Sequence, residues 1–181
     1  MSNAYALEAR DVSKRFGGIV ATNHVSIQVE KGKIFGIIGP NGAGKTTLFN
    51  IITGVYSPTE GKVLLDGEDL TGKQPYQIAR AGIARTFQNI RLFNDLTVYS
   101  NIHIAYQKNM TYSVLQGVFR TKAYKEQETD CALKCEKLLK SVGLWELRDQ
   151  LASNLPYGVQ RRLEIARALA TSPKVLLLDE P

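Results

Sequence analysis

Ile34-Phe35-Gly36-Ile37-Ile38-Gly39-Pro40-Asn41-Gly42-Ala43-Gly44-Lys45-Thr46 is the stretch on which the fold turns. Residues 39–46 match G-x-x-x-x-G-K-[ST] in the context that this pattern needs. An apolar, strand-like run (Ile34–Ile38) precedes it, and a helical pattern from Lys45 to Thr53 follows and stops at Gly54. The glycines let successive N–H groups curl around a phosphate, and the helix N-terminus adds its partial positive charge. Lys45 brings a point charge to β/γ-phosphates, and the Thr46 hydroxyl is placed to hold Mg²⁺. Gly39, Pro40, Asn41, Gly42, Ala43, Gly44, Lys45, Thr46 and Thr47 are therefore read as nucleotide-binding. A glycine-rich turn with no ligand is the bland alternative.

Upstream of this stretch, Ala4–Ala9 and Val25–Val29 read as strands. Glu30-Lys31-Gly32-Lys33 is expected to turn the second of them back into Ile34–Ile38, a hairpin feeding a buried strand. Downstream, Ser57-Pro58-Thr59-Glu60-Gly61 turns into a strand at Lys62–Leu65 with a hairpin signal at Asp66-Gly67, and Pro75 opens a short helix through Arg80. Beyond Gln88 the character changes. Val98–Tyr106, Tyr124–Val142 and Gln160–Ala170 carry helical periodicity, Gln107–Thr121 reads as a loop or insert, and Val175–Leu178 is the only later strand. The pattern predicts an α/β core, 1–88 and 172–181, interrupted by a helical subdomain, 89–171.

A chain of 181 residues with 44% hydrophobic and 22% charged residues has the composition of a globular domain with one buried core, which excludes disorder and fibrous structure. No run approaches the ~18 apolar residues of a spanning helix, and Met1-Ser2-Asn3-Ala4 lacks the basic and apolar segments of a signal peptide, so a cytoplasmic chain is expected. The net charge of +6 permits an anionic partner, but the basic residues are scattered apart from Arg161-Arg162 and the Lys122/Lys125 neighbourhood, and no nucleic acid is expected. Cys131 and Cys135 stand four apart in a helical pattern with too few further soft ligands for a closed zinc site. They read as reduced structural thiols.

Two further stretches carry chemistry. Val175-Leu176-Leu177-Leu178-Asp179-Glu180 is an apolar strand ending in two acids. Beside a phosphate loop, Asp179 fits the Mg²⁺ shell and Glu180 is placed to orient or deprotonate an attacking water. Leu155-Pro156-Tyr157-Gly158-Val159-Gln160-Arg161-Arg162 precedes an apolar helical stripe at 163, 166 and 169/170, with Gly158 where backbone amides could face a phosphate. An ordinary arginine-bearing surface helix is the alternative for this last stretch.

Together the three stretches resemble the ATP-binding subunit of ABC transporters, over essentially the whole chain. The resemblance implies a P-loop NTPase core with a RecA-like parallel sheet, an N-terminal antiparallel β subdomain and an inserted helical subdomain. The segment from Leu155 looks like the family's signature motif, which assigns Tyr157, Gly158 and Gln160 to the nucleotide of a second copy. Gln88, in Ala84-Arg85-Thr86-Phe87-Gln88, fits the position that senses Mg²⁺ and the attacking water and contacts the membrane partner. Phe16 fits the aromatic that stacks on adenine, with a buried core Phe as the alternative. The run Gly82 to Asn89, then Leu92-Phe93, Leu96-Thr97-Val98, the Tyr157-Gly158 form of the signature and the insert near Phe119-Arg120-Thr121 look like the branched-chain amino-acid uptake subgroup. ATP and Mg²⁺ are the implied cofactors. The implied partners are transmembrane permease subunits and a second ATP-binding subunit, identical or not, at the cytoplasmic face of the membrane.

The chain departs from the family pattern in two places. Pro156 and Tyr157 replace the Ser and first Gly of the usual signature and Val159 replaces its Gln, which removes a hydroxyl and an N–H. The chain also stops just after Glu180, so the family's D-loop and switch histidine are not among these residues, and His24 and His103 both precede the acids. In the family the strand that comes next inserts between the two strands that bear the phosphate loop and the acids. Ile34–Ile38 and Val175–Leu178 are therefore expected to flank a gap roughly 10 Å wide, and the 181 residues are not expected to be an autonomous ATPase. A soluble ATPase acting on nucleic acid or ribosomes, and a nucleotide-binding module without turnover, remain the other readings.

Overall fold

Gly17, at φ 57°, turns the chain between two twelve-residue strands, β1 (Tyr5–Phe16) and β2 (Ile19–Glu30), which pair antiparallel from Tyr5↔Glu30 to Phe16↔Ile19. The computed structural model describes residues 4–86, 88–108 and 110–179. The pairing is interrupted by bulges, and two non-glycine residues at the irregular positions, Asp11 and His24, take positive φ and are hydrogen-bonded to each other through Oδ1 and Nδ1 at 2.9 Å. Bulges raise local twist and break strict alternation. Hence residues 10–24, rich in polar side chains, carry little of the strand pattern expected of them. β3 (Glu60–Leu65) adds to the other side of β1, and β4 (Glu68–Asp69) closes the order β2-β1-β3-β4 around the Asp66-Gly67 turn.

This sheet belongs to the first of two compact units, Met1–Ile83. Leu7, Ala9 and Val12 of β1 and Val63 and Leu65 of β3 are buried, with Leu48, Ile51 and Ile52 of α1 (Lys45–Ile52) and Ile78 of α2 (Pro75–Ala81). Helix α2 starts as its proline signal predicts, at N1, with a reciprocal box between Gln74 and Gln77. It ends on Gly82.

The expected strand Ile34–Ile38 is not formed. After Lys31-Gly32 the chain leaves the sheet, residues 33–40 pair with no strand among the described residues, and Ile34 and Ile38 are fully exposed. A strand is a property of a pair, because isolated N–H and C=O groups are satisfied by water unless a neighbour takes them. β2 pairs with β1 through the turn at Gly17-Gly18 and its other edge takes no strand among the described residues, so the hairpin expected at residues 30–33 is not formed. The two strands expected to flank a one-strand gap are accordingly not both present.

The second unit, Ala84–Pro181, is mainly helical. Its helices are α3 (Val98–Gln107), α4 (Val114–Val118), α5 (Lys122–Ser141) and α6 (Tyr157–Ala170). Val98, Ile102, Cys131, Cys135, Leu139, Leu144, Leu155, Leu163 and Ala166 form one buried cluster. α3 is capped by Thr97, whose Oγ1 accepts from the Ser100 N–H, and α5 by Thr121, matching the periodicity to within a residue or two. The five-residue α4 lies inside the stretch read as a loop. A two-stranded sheet joins β5 (Ile83–Arg85), which the sequence reading did not anticipate, to β6 (Val175–Leu177). Three residues are too few to show a period.

Candidate nucleotide site

In the first unit, the phosphate-loop motif folds as its glycines dictate. Gly42 and Gly44 take φ 84° and 83°, backbone that other residues adopt only under strain, and Gly44 is the N-cap of α1. A Cβ at Gly44 would run into the Ala21 carbonyl of β2 and meet the Thr22 methyl at 3.1 Å, so the loop is pressed against the sheet here. Gly42 has open space around it. Asn41, Gly42, Ala43 and Thr46 are exposed, while Lys45 and Thr47 are half-buried. The Lys45 ammonium donates to the carbonyls of Gly39 (2.6 Å) and Pro40 (2.8 Å), which holds it over its own loop. An exposed glycine-rich loop at a helix start, with an ammonium held against it, suits phosphate oxygens, so the residues present fit a nucleotide.

Phe16 ends β1 and is 41% exposed. It meets Tyr56 edge-on at 5.2 Å between centroids, and the Lys14 ammonium stands 5.1 Å from its ring. The ring is therefore braced but not covered. That disposes of the buried-core alternative and leaves part of the aromatic side chain open to solvent.

The second unit brings together Asp179 and residues that the sequence reading passed over. The Asp179 carboxylate, 15% exposed, pairs with Arg85 at 2.7 Å, and the Arg85 side chain is 7% exposed. The Asp179 N–H donates to Thr86 Oγ1 (3.3 Å), its carbonyl accepts from Arg161 Nη2 (2.6 Å), and the Thr86 N–H donates to the Leu177 carbonyl (3.0 Å). Arg161 is in turn paired with Glu164 one helical turn on, at 2.7 Å, and Glu164 is 3% exposed. A carboxylate offers the hard oxygen donors that Mg²⁺ takes, as does the Thr46 hydroxyl, so both donors fit that ion. Gln88 is exposed, and Glu180 lies outside the described residues.

In the signature segment, Pro156 is the N-cap of α6, with Tyr157 and Gly158 exposed in the first turn. Tyr157 is 71% exposed. The Gln160 amide donates to the carbonyls of Ala152 (3.2 Å) and Leu155 (3.0 Å), tying α6 to the turn in front of it. Arg161 and Glu164 sit at i and i+3 on this helix. That spacing was the one signal in the sequence that could have found the pair.

Comparison with known proteins agrees with the geometry. The ABC transporter family matches residues 22–181. The high-affinity branched-chain amino acid transport ATP-binding protein BraF of Pseudomonas aeruginosa is 45% identical over 97% of this chain and 69% of its own length. LivG of Escherichia coli, described in the same words, is 42% identical over the same shares. Among solved structures, a nucleotide-free ATP-binding cassette from an ABC transporter superposes with a TM-score of 0.78 at 38% identity, over 98% of this chain and 69% of that one. CbiO1 of Clostridium perfringens, part of the ABC transporter complex CbiONQ, reaches 0.81 at 27% identity, over 99% of this chain and 66% of its own.

Proposed function

The chain belongs to the ABC transporter family, as one of its ATP-binding cassettes, and on that footing we propose that it hydrolyses ATP to drive import of branched-chain amino acids. The observation that carries the substrate class is the 45% identity over 97% of the chain to a transport ATP-binding protein of that description.

Residues 39–47 hold the phosphates, Lys45 answers the charge at the β/γ end, and the partly exposed Phe16 stacks on adenine. Thr46 and Asp179 supply oxygens to Mg²⁺, with Gln88 reporting the ion's presence, and Glu180 accepts the proton of the attacking water. The bound ion would neutralise charge that develops on the phosphates. Tyr157, Gly158 and Gln160 face the nucleotide of a second cassette, which is either a copy of this chain or a related one. The pair works on transmembrane permease subunits from the cytoplasmic face. The attachment is peripheral in this reading; no helix among the described residues is long and apolar enough to cross a membrane.

Reconstitution with permease subunits in proteoliposomes tests it. ATP-dependent uptake of labelled leucine, isoleucine or valine is expected, and Glu180→Gln should keep ATP binding while losing most turnover. Nucleic-acid- or ribosome-stimulated hydrolysis with no uptake would replace this reading with the soluble one.

A further inference from the structure

If Asp179 is the acid that faces a divalent ion, as the proposed function has it, its carboxylate already carries a cation. Arg85 Nη2 stands 2.7 Å from Asp179 Oδ2, and both side chains are largely buried. A guanidinium is weakly hydrated and spreads its charge over a planar fork, which suits it to this place beside a carboxylate. A divalent ion needs lone pairs of the same carboxylate. Two cations crowded on one half-buried carboxylate repel each other in a low dielectric, so occupancy by one opposes the other.

The surroundings decide which group gives way. The main chain of Asp179 is held without help from its carboxylate. Its N–H is on Thr86 Oγ1, and its carbonyl is on Arg161, which Glu164 neutralises from within α6. The carboxylate can therefore exchange partners while the end of β6 stays in place. Arg85 is tied more closely to the chain after it. It is the last residue of β5, Thr86 is bonded to Leu177 and Asp179, and Gln88 comes three residues after Arg85.

We propose that Arg85 is a placeholder cation at Asp179, displaced when a divalent ion arrives, and that its displacement carries the ion's arrival to Thr86 and Gln88. Arg85 is then a positioning residue. It acts on the ion through Asp179 and on Gln88 through the strand end, and it touches no reacting atom.

The test is Mn²⁺ binding to the purified protein, read by electron paramagnetic resonance with a saturating non-hydrolysable ATP analogue. Hydrogen exchange of the peptide covering residues 84–89 is followed with and without the metal. Arg85→Met is expected to bind Mn²⁺ about fivefold tighter than wild type, because the competing cation is gone. Its affinity for the analogue in the absence of metal should stay within about twofold, because Arg85 reaches nucleotide only through the ion. The metal-dependent change in exchange at 84–89 should appear in wild type and vanish in Arg85→Met. Arg85→Lys keeps the charge without the fork and should bind Mn²⁺ about twofold tighter, which decides the matter should Arg85→Met fail to fold. Equal or weaker Mn²⁺ binding in the folded variants, or a change in exchange that persists without Arg85, overturns the proposal. Asp179→Asn separates the role of the acid from that of the arginine. If Mn²⁺ binding survives it unchanged, the reading of Asp179 falls and takes the proposal with it. If binding depends on Asp179 and ignores Arg85, only the placeholder falls.

Discussion

In residues 39–46 the chemistry is carried by the main chain, on glycines held at left-handed φ and on one lysine folded over two carbonyls. Around Asp179 it is carried by side chains, with Arg85 at the end of β5, Thr86 just after it and Arg161 of α6 bonded to Asp179, and Glu164 paired with Arg161 behind them. The first arrangement is local and exposed, and its amides need only one turn of chain to converge. The second is assembled from residues up to 94 apart in sequence and is largely buried, so its parts mean nothing singly. A backbone site should fail when a glycine acquires a Cβ, whereas a side-chain site should fail when one member of a charge set is neutralised.

Gly44→Ala puts this contrast under the greatest load. The new methyl would sit in left-handed backbone and overlap the Ala21 carbonyl, a combination expected to destabilise the first unit by about 2–4 kcal/mol. Gly158→Ala, in the first turn of α6 with nothing within 4 Å, should be neutral or stabilise by up to about 1 kcal/mol. Denaturant unfolding of both variants checks the contrast, and equal losses would end it. Lys45→Ala comes next in size. It removes a charge-assisted contact, so ATP affinity should fall on the order of 10- to 100-fold with little change in unfolding midpoint. Affinity within about twofold of wild type in a fluorescent-nucleotide titration would take the role away from Lys45.

The same contrast explains what the sequence made legible. The phosphate loop was read residue by residue because its pattern specifies backbone conformations directly, and α1, α2, α3, α5 and α6 emerged from period and caps. Ile34–Ile38 forms no strand despite its pattern, because an apolar run states a preference for burial and says nothing about which strand lies alongside. Residues 10–24 were missed for the opposite reason, since bulges at Asp11 and His24 scramble the alternation that marks a strand. Arg85 and Glu164 looked like ordinary charged residues. Only the folded chain places one on Asp179 and the other beneath Arg161.

Neutralising one member of the Asp179 set probes the side-chain half of the contrast. Glu164→Gln keeps the shape and an acceptor but withdraws the charge opposite Arg161, leaving a cation under-compensated at a site where both side chains are nearly buried. A loss of about 1–2 kcal/mol is expected, smaller than a full break because the amide oxygen still accepts from Arg161. The same substitution at Glu126, whose partner Lys122 is 90% exposed, should change stability by less than about 0.5 kcal/mol. Comparable losses at the two sites would mean that burial is not what gives the Asp179 set its weight.

The smallest effect is expected in the second unit, at Tyr112, in the stretch that reads as a loop and is in fact pinned. Its phenol donates to Glu128 of α5 at 2.8 Å, and its ring meets Tyr124 edge-on at 5.0 Å. The bond to the Glu128 carboxylate pushes the phenol up to about 12, with burial adding to the rise. The folded state thus holds the proton more tightly than the unfolded chain, whose tyrosines titrate near 10. The stabilisation is therefore complete below about pH 10 and is lost as pH rises from there toward 12. Tyr112→Phe should cost about 1 kcal/mol at neutral pH, and the gap between variant and wild type should close across that alkaline window. Unfolding curves at a series of pH values measure the gap, and ultraviolet titration should show the highest phenolate step missing from the variant. A gap that stays constant through the window would mean that Tyr112 acts through its ring alone and that the hydroxyl bond to Glu128 contributes nothing.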